Sequence, residues 1–181
     1  MFVTLKDGSK IEVESGRTGL DIARRISEGL ARAALVCRVD GVLRSLGEKV
    51  EEDCTFEVLT FADEEGRAAY RHTCSHILAQ AVKNIYPTVK LGIGPAVKDG
   101  FYYDFDFRTP ITQADFEKIE AEMKSIIKAD FPIERKELSR ADAEKLIRKI
   151  KQPYKLELLA DIPEGETISF YTQGDFTDLC A

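Results

Sequence analysis

The hydrophobic and polar positions of this chain fall into short alternating runs, separated by stretches with helical spacing. Phe2-Val3-Thr4-Leu5-Lys6, then Asp7-Gly8, then Ser9 to Val13 predicts a hairpin around an Asp-Gly turn. Leu20 to Ile26 carries Leu20, Ile22, Ala23 and Ile26 at helical spacing. Ala33 to Val39 predicts a strand ending in a second Asp-Gly turn at Asp40-Gly41, and Thr55 to Phe61 predicts another. Ala62 to Gly66 is acidic and poor in apolar residues, and Asp63 is placed to cap a helix. That helix is predicted from Glu64 to Tyr86, stopped by Pro87. Lys90 to Gly100, with three glycines and a proline, reads as a loop-rich approach. In Phe101 to Phe107 the residues Phe101, Tyr103, Phe105 and Phe107 take one face of a strand, and Tyr102, Asp104 and Asp106 the other. Gln113 to Ala129 predicts an amphipathic helix, Ile133 to Leu138 a strand, and Ser139 to Ile150 a capped helix. Thr167 to Cys180 predicts one or two strands around Gln173-Gly174.

This order predicts an α+β chain of two modules. Residues 1–61 suggest a small β-grasp sheet, and residues 62–181 an α+β module with an antiparallel sheet and one long helix. On that helix Cys74, Leu78, Ala81 and Ile85 fall within about 60°, the stripe expected to face the core. His72, His76, Ala79 and Lys83 fall opposite, joined by Ala68, where small neighbours leave room for something to approach.

Charge narrows the partners. The 26 basic and 32 acidic residues give a net charge of −6, spread evenly, with no basic stripe of the kind that holds nucleic acid unaided. The four cysteines, Cys37, Cys54, Cys74 and Cys180, form neither a CxxC pair nor a disulfide framework. Reduced thiols and a cytoplasmic location are expected. No apolar run approaches the ~18 residues of a membrane span, and no signal segment opens the chain.

The two histidines of the chain, His72 and His76, stand four residues apart, so on a helix both imidazoles point the same way. A metalloprotease helix needs Glu beside the first histidine, and Thr73 stands there. A structural zinc site wants four ligands; Cys180 offers a third, and no fourth is visible. On a strand Asp178 and Cys180 share a face, which would bring a carboxylate and a thiol to the imidazoles. The residues alone leave open an ordinary surface histidine pair, a solvated Lys155, a core-packed Tyr103 and an Asp178 that merely caps a strand.

The runs Arg71-His72-Thr73-Cys74-Ser75-His76-Ile77-Leu78, Lys90-Leu91-Gly92-Ile93-Gly94-Pro95, Gly100-Phe101-Tyr102-Tyr103-Asp104-Phe105-Asp106, Pro153-Tyr154-Lys155 and Asp178-Leu179-Cys180 occur in this order. Together they resemble the editing domain of the bacterial threonyl-tRNA synthetase family. The first 61 residues resemble the TGS domain that precedes it there. The resemblance implies hydrolysis of seryl-tRNA(Thr), because a missing methyl is worth only ~1–3 kcal/mol in binding and serine is therefore poorly rejected at the first step. By motif position His72, His76 and Lys155 match catalytic positions, and Tyr103, Asp178 and Cys180 match substrate-binding ones. The expected roles are His72 on the water, Lys155 assisting by charge, Asp178 on the serine amino group or hydroxyl, and His76 and Tyr103 on the terminal adenosine.

The resemblance also implies partners: the 3′ end of tRNA(Thr) carrying serine, the remainder of a synthetase, and no membrane. A monomeric N-terminal fragment is expected, unable to aminoacylate and impaired in editing, because the chain stops before the histidine of the family's CxxxH. No metal is expected; zinc held by His72, His76 and Cys180 is the alternative, and ATP and a further zinc would belong to the absent catalytic domain. Two other readings stand beside this one. The first is a non-catalytic TGS-type module binding RNA or protein; GTPase activity is excluded because GxxxxGK[ST] is missing. The second is a zinc-dependent editing protein of the alanyl type.

Overall fold

A computed structural model describes residues 1–180. The chain is α+β and divides into two compact units, Met1–Arg71 and the residues from His72 onward.

The first unit opens with β1 (Phe2–Leu5) and β2 (Lys10–Glu12), antiparallel around Asp7-Gly8. Short β3 (Arg17–Thr18) leads into α1 (Gly19–Ile26) and α2 (Glu28–Ala33). β4 (Val36–Val39), β5 (Val42–Arg44), β6 (Lys49–Val50) and β7 (Cys54–Leu59) come next. β1 lies parallel to β7, and the sheet runs β2-β1-β7-β4-β5, the mixed order of a β-grasp. Thr18 and Asp21 cap each other's backbone at the start of α1, satisfying two amides the helix leaves unpaired. Ile22 of α1 closes over Val3, Cys37, Val39 and Phe56 of the sheet, and Ala23 beside it is fully buried. The turn between β4 and β5 places Asp40 at φ 50° and Gly41 at φ 80°, the left-handed pair that a two-residue hairpin needs.

α3 (Glu64–Ile85) begins in the first unit and ends in the second. Asp63 stands at the N-cap position, its carbonyl accepting from the Arg67 amide at 3.0 Å, but its carboxylate turns back to the Thr60 amide at 2.8 Å instead of capping the helix. Gly66 is required here, since a Cβ would stand 1.9 Å from the Thr60 carbonyl oxygen.

The second unit continues with β8 (Lys90–Leu91), β9 (Ala96–Val97), β10 (Gly100–Phe101) and β11 (Phe105–Asp106). Beyond them lie α4 (Gln113–Ala129), β12 (Ile133–Glu137), α5 (Arg140–Ile150), α6 (Pro153–Asp161), β13 (Ser169–Gln173) and β14 (Phe176–Cys180). The expected strand over Phe101–Phe107 is broken into β10 and β11, which pair with β9 and β8. Its alternation of buried and exposed side chains nevertheless persists, with Tyr103 buried between exposed Tyr102 and Asp104.

β12, β13 and β14 form an antiparallel sheet whose two faces do different work. Phe170 and Leu179 pack with Ala143, Ile147 and Leu159 of α5 and α6. Phe176, on the opposite face, joins Ile77, Ala79 and Val82 of α3. The expected stripe of α3 does meet the core, with Ala81 fully buried and Leu78 and Ile85 packed against it, but the histidine side is buried as well, at Ala79 and Ser75, where an open face was expected. Ala and Ser carry too little apolar weight to mark a face, yet their size lets the helix approach the sheet. Among the described residues no helix is long and apolar enough to cross a membrane.

Candidate functional site

The second unit holds a cluster of buried polar groups on the α3-facing side of the sheet. Strand period places Phe176, Asp178 and Cys180 on one face, and α3 delivers His72 and His76 one turn apart. The His72 Nε2 atom lies 3.0 Å from Cys180 Sγ and 2.9 Å from His76 Nε2. The two rings meet edge to face, their centroids 4.6 Å apart. Beside them Tyr103 donates its hydroxyl proton to Asp178 Oδ2 at 2.6 Å and accepts from the Lys155 ammonium at 3.0 Å. Lys155 also stands 2.8 Å from Asp178 Oδ1, an ion pair off the line of a hydrogen bond. His76 Nδ1 joins the two halves: it is buried without a hydrogen bond, and the nearest carboxylate oxygen, Asp178 Oδ2, is 3.6 Å away.

Lys155 and Asp178 are 2% and 1% exposed, and a charge that deep is tolerated only with its partner in place. The same burial lowers the pKa of both imidazoles. For His72 burial outweighs the raising influence of Asp178; for His76 it prevails further, to about 4. Both rings are therefore neutral at neutral pH. Burial and the Asp178 charge raise Tyr103 far above its ordinary 10, so its hydroxyl stays protonated. The Cys180 thiol is raised for the same two reasons.

Tyr103 is not open to solvent. Its ring stacks on Phe105 at 4.9 Å, and a Cβ on Gly94 would stand 2.1 Å from it, so only glycine fits at position 94. Ser75 ties that loop to α3 by donating to both the His72 and the Gly94 carbonyls at 2.8 Å.

Gln152, which sequence reasoning passed over, connects the elements carrying Tyr103 and Lys155. It is 2% exposed. Its side-chain oxygen accepts from the Leu91 amide at 2.7 Å, its nitrogen donates to the Val89 carbonyl at 3.3 Å, and its own carbonyl accepts from the Lys155 amide at 3.1 Å. β8, gripped in this way, pairs with β11 just beyond Tyr103. The signal in the sequence was a polar residue directly before Pro153, which opens α6 at its first turn. Tyr171 and Arg135 were also passed over. They lie in one cross-strand row with Asp178, and the Tyr171 ring is 6.1 Å from that of His76.

His72, His76 and Cys180 present ligand atoms within 4.8 Å of one another. Two imidazoles and a thiol form a donor set that zinc accepts with a fourth position left for water, so the residues fit that metal. The same three groups equally make a proton-sharing cluster around one imidazole nitrogen.

Comparison with known proteins agrees with the fold. Residues 1–60 match the TGS domain family. Over 179 residues, 99% of the chain, it is 58% identical to a threonine–tRNA ligase of Acetivibrio thermocellus. It is 54% identical over its full length to one from Caldanaerobacter subterraneus subsp. tengcongensis, and 54% identical over 179 residues to one from Clostridium tetani. The chain spans 28% of the length of each of these relatives. Its motifs, its leading TGS domain and this identity along nearly every residue agree: the chain belongs to the threonyl-tRNA synthetase family.

Proposed function

We propose that the second unit is an editing site that hydrolyses the ester of serine on the 3′-terminal adenosine of tRNA(Thr). The observation that supports it most is the joining of a neutral histidine pair to a buried ammonium–phenol–carboxylate group within 3.6 Å. An ester hydrolase needs a base for water and a positive donor for the oxyanion, both placed in advance.

In this reading water attacks the seryl carbonyl carbon while His72 accepts its proton. Lys155 faces the developing oxyanion. The bond to the ribose oxygen breaks, and the proton held on His72 passes to that oxygen, leaving serine and a free tRNA end. Asp178 orients Lys155 and Tyr103 and offers its charge to the serine ammonium. The adenosine contact expected of Tyr103 moves elsewhere, because both its hydroxyl and its ring are occupied. Cys180 forms the wall against which threonine's methyl would press. The parent ligase supplies tRNA selection and the remaining domains, and the first unit serves as its TGS module.

The closeness of the three ligand atoms favours a second reading in which His72, His76 and Cys180 hold zinc, as in alanyl-type editing proteins. The ion would supply a more acidic water. Incubation of the chain with seryl-tRNA(Thr) and threonyl-tRNA(Thr), before and after chelation, tests both readings. Selective loss of the seryl ester that survives chelation is expected. Loss of that activity with the chelator and its return with zinc would establish the metal reading. Equal inertness toward both esters, with or without zinc, would overturn the hydrolase assignment.

A further inference from the structure

A seryl-tRNA end is more than a seryl ester: it brings a flat base and, 5′ to it, a phosphodiester. The buried half of the site has no surface for either. Tyr103 is stacked and hydrogen bonded, Lys155 and Asp178 are paired with each other, and the His72–His76–Cys180 group is taken up by the ester in the editing reading. The nucleotide must therefore be received outside that half, next to it and on the same side.

The sheet provides such a place. Cross-strand partners share a face, so the row Arg135, Tyr171, Asp178 runs outward from the centre, one strand at a time, toward the exposed edge strand β12. Adjacent strands are about 4.8 Å apart, so this row covers the span from the ester to its nucleoside. The Tyr171 ring is partly exposed and tilted 35° to the His76 ring at 6.1 Å. Beyond it the Arg135 side chain, 38% exposed, pairs with the Glu137 carboxylate at 2.5 Å, opposite Tyr171 across the two strands. An aromatic face followed by a planar cation is the sequence of chemistry that a base followed by a phosphate demands.

We infer that Tyr171 and Arg135 form the nucleotide half of the site, the Tyr171 ring receiving the terminal base and Arg135 the phosphodiester on its 5′ side. This rests on the editing reading above. Glu137 then acts as a placeholder, keeping the guanidinium flat against the strand until a phosphate replaces it. Recognition of the base is by stacking and tolerates any base; selectivity for serine stays with the buried half.

Titration of the whole chain, followed by NMR, with three probes tests this: serinamide, a 3′-serylamino-adenosine in which an amide replaces the ester, and the same group on a cytidylyl-adenosine dinucleotide. Affinity is expected to rise about tenfold from the first to the second, through stacking. It should rise again to the third, with a salt dependence of about 0.7 per phosphate contact. Tyr171→Leu should cancel the first gain and Tyr171→Phe keep it, while Arg135→Gln should cancel the second gain and its salt dependence. Serinamide should bind alike to all variants. If Tyr171→Leu and Arg135→Gln keep both gains, or the nucleoside adds nothing in the unaltered chain, this inference is overturned and the editing site stands. If no probe binds the unaltered chain, both fall.

Discussion

The two units of this chain spend their polar groups in opposite ways. In the first, charged side chains pair at the surface: Lys6 and Arg38 both reach Glu57, and the core is Val3, Ile22, Val39, Val50 and Phe56. In the second, Ser75, Gln80, Gln152, Lys155, Ser169, Gln173 and Asp178 are all buried. No buried polar side chain lies in the first unit among the described residues. A core made for stability alone excludes charge; one that keeps a lysine, a carboxylate and a tyrosine hydroxyl together holds chemistry in advance of substrate. On the editing reading proposed above, the first unit serves as scaffold or contact and the second carries the reaction.

The sharpest way to break the comparison is to remove charge from each unit in turn. His72→Ala should lower seryl-ester hydrolysis by about 10²–10⁴-fold, measured under single turnover, with little change in fold. Asp178→Ala strands the Lys155 ammonium and should cost about 3–5 kcal/mol in denaturant unfolding of the second unit. Gln152→Ala leaves the Leu91 amide and Val89 carbonyl without partners and should cost about 1–3 kcal/mol, with a loss of hydrolysis that Gln152→Glu partly restores. Arg38→Met, at a surface pair of the first unit, should change stability by no more than about 1 kcal/mol.

Acid should separate the units as well. The pKa of His76 in the fold is about 4, below its ordinary 6.5, so between those values the unfolded chain binds the extra proton. Stability of the second unit then falls as pH drops from 6.5 toward 4, levels below it, and is independent of this group above 6.5. Neither histidine lies in the first unit. Its lowered carboxylates, such as Asp21 held by Thr18, contribute stability that is kept above 3.8 and lost below it. Residue-resolved amide exchange at about pH 7, 5 and 3.5 should show the second unit loosening first. Simultaneous loosening would contradict the contrast.

Much of the fold was legible because strong periodicity survives tertiary context. The helix over Gln113–Ala129, the Ser139 cap and the hairpin around Gln173-Gly174 stand where the residue pattern puts them. Proximity of Asp178 and Cys180 to the histidines came from strand period once a sheet was assumed. The burial of α3 on its histidine side was not legible, because Ser75 and Ala79 mark no face by hydrophobicity. α6 was missed because Pro153 reads as a breaker unless it opens the helix. Gln152, Tyr171 and Arg135 acquire their roles from pairing between distant segments, a register that no single segment encodes.

If the second unit edits as proposed, the imidazoles and the buried ammonium act as one device. Single-turnover hydrolysis of seryl-tRNA(Thr) by His72→Ala, Lys155→Met and the double variant measures this directly. Groups serving one transition state lose their effect together, so the double variant should be no slower than the slower single one, within a few-fold. Losses that multiply, or a Lys155→Met chain as fast as the unaltered one, would contradict it.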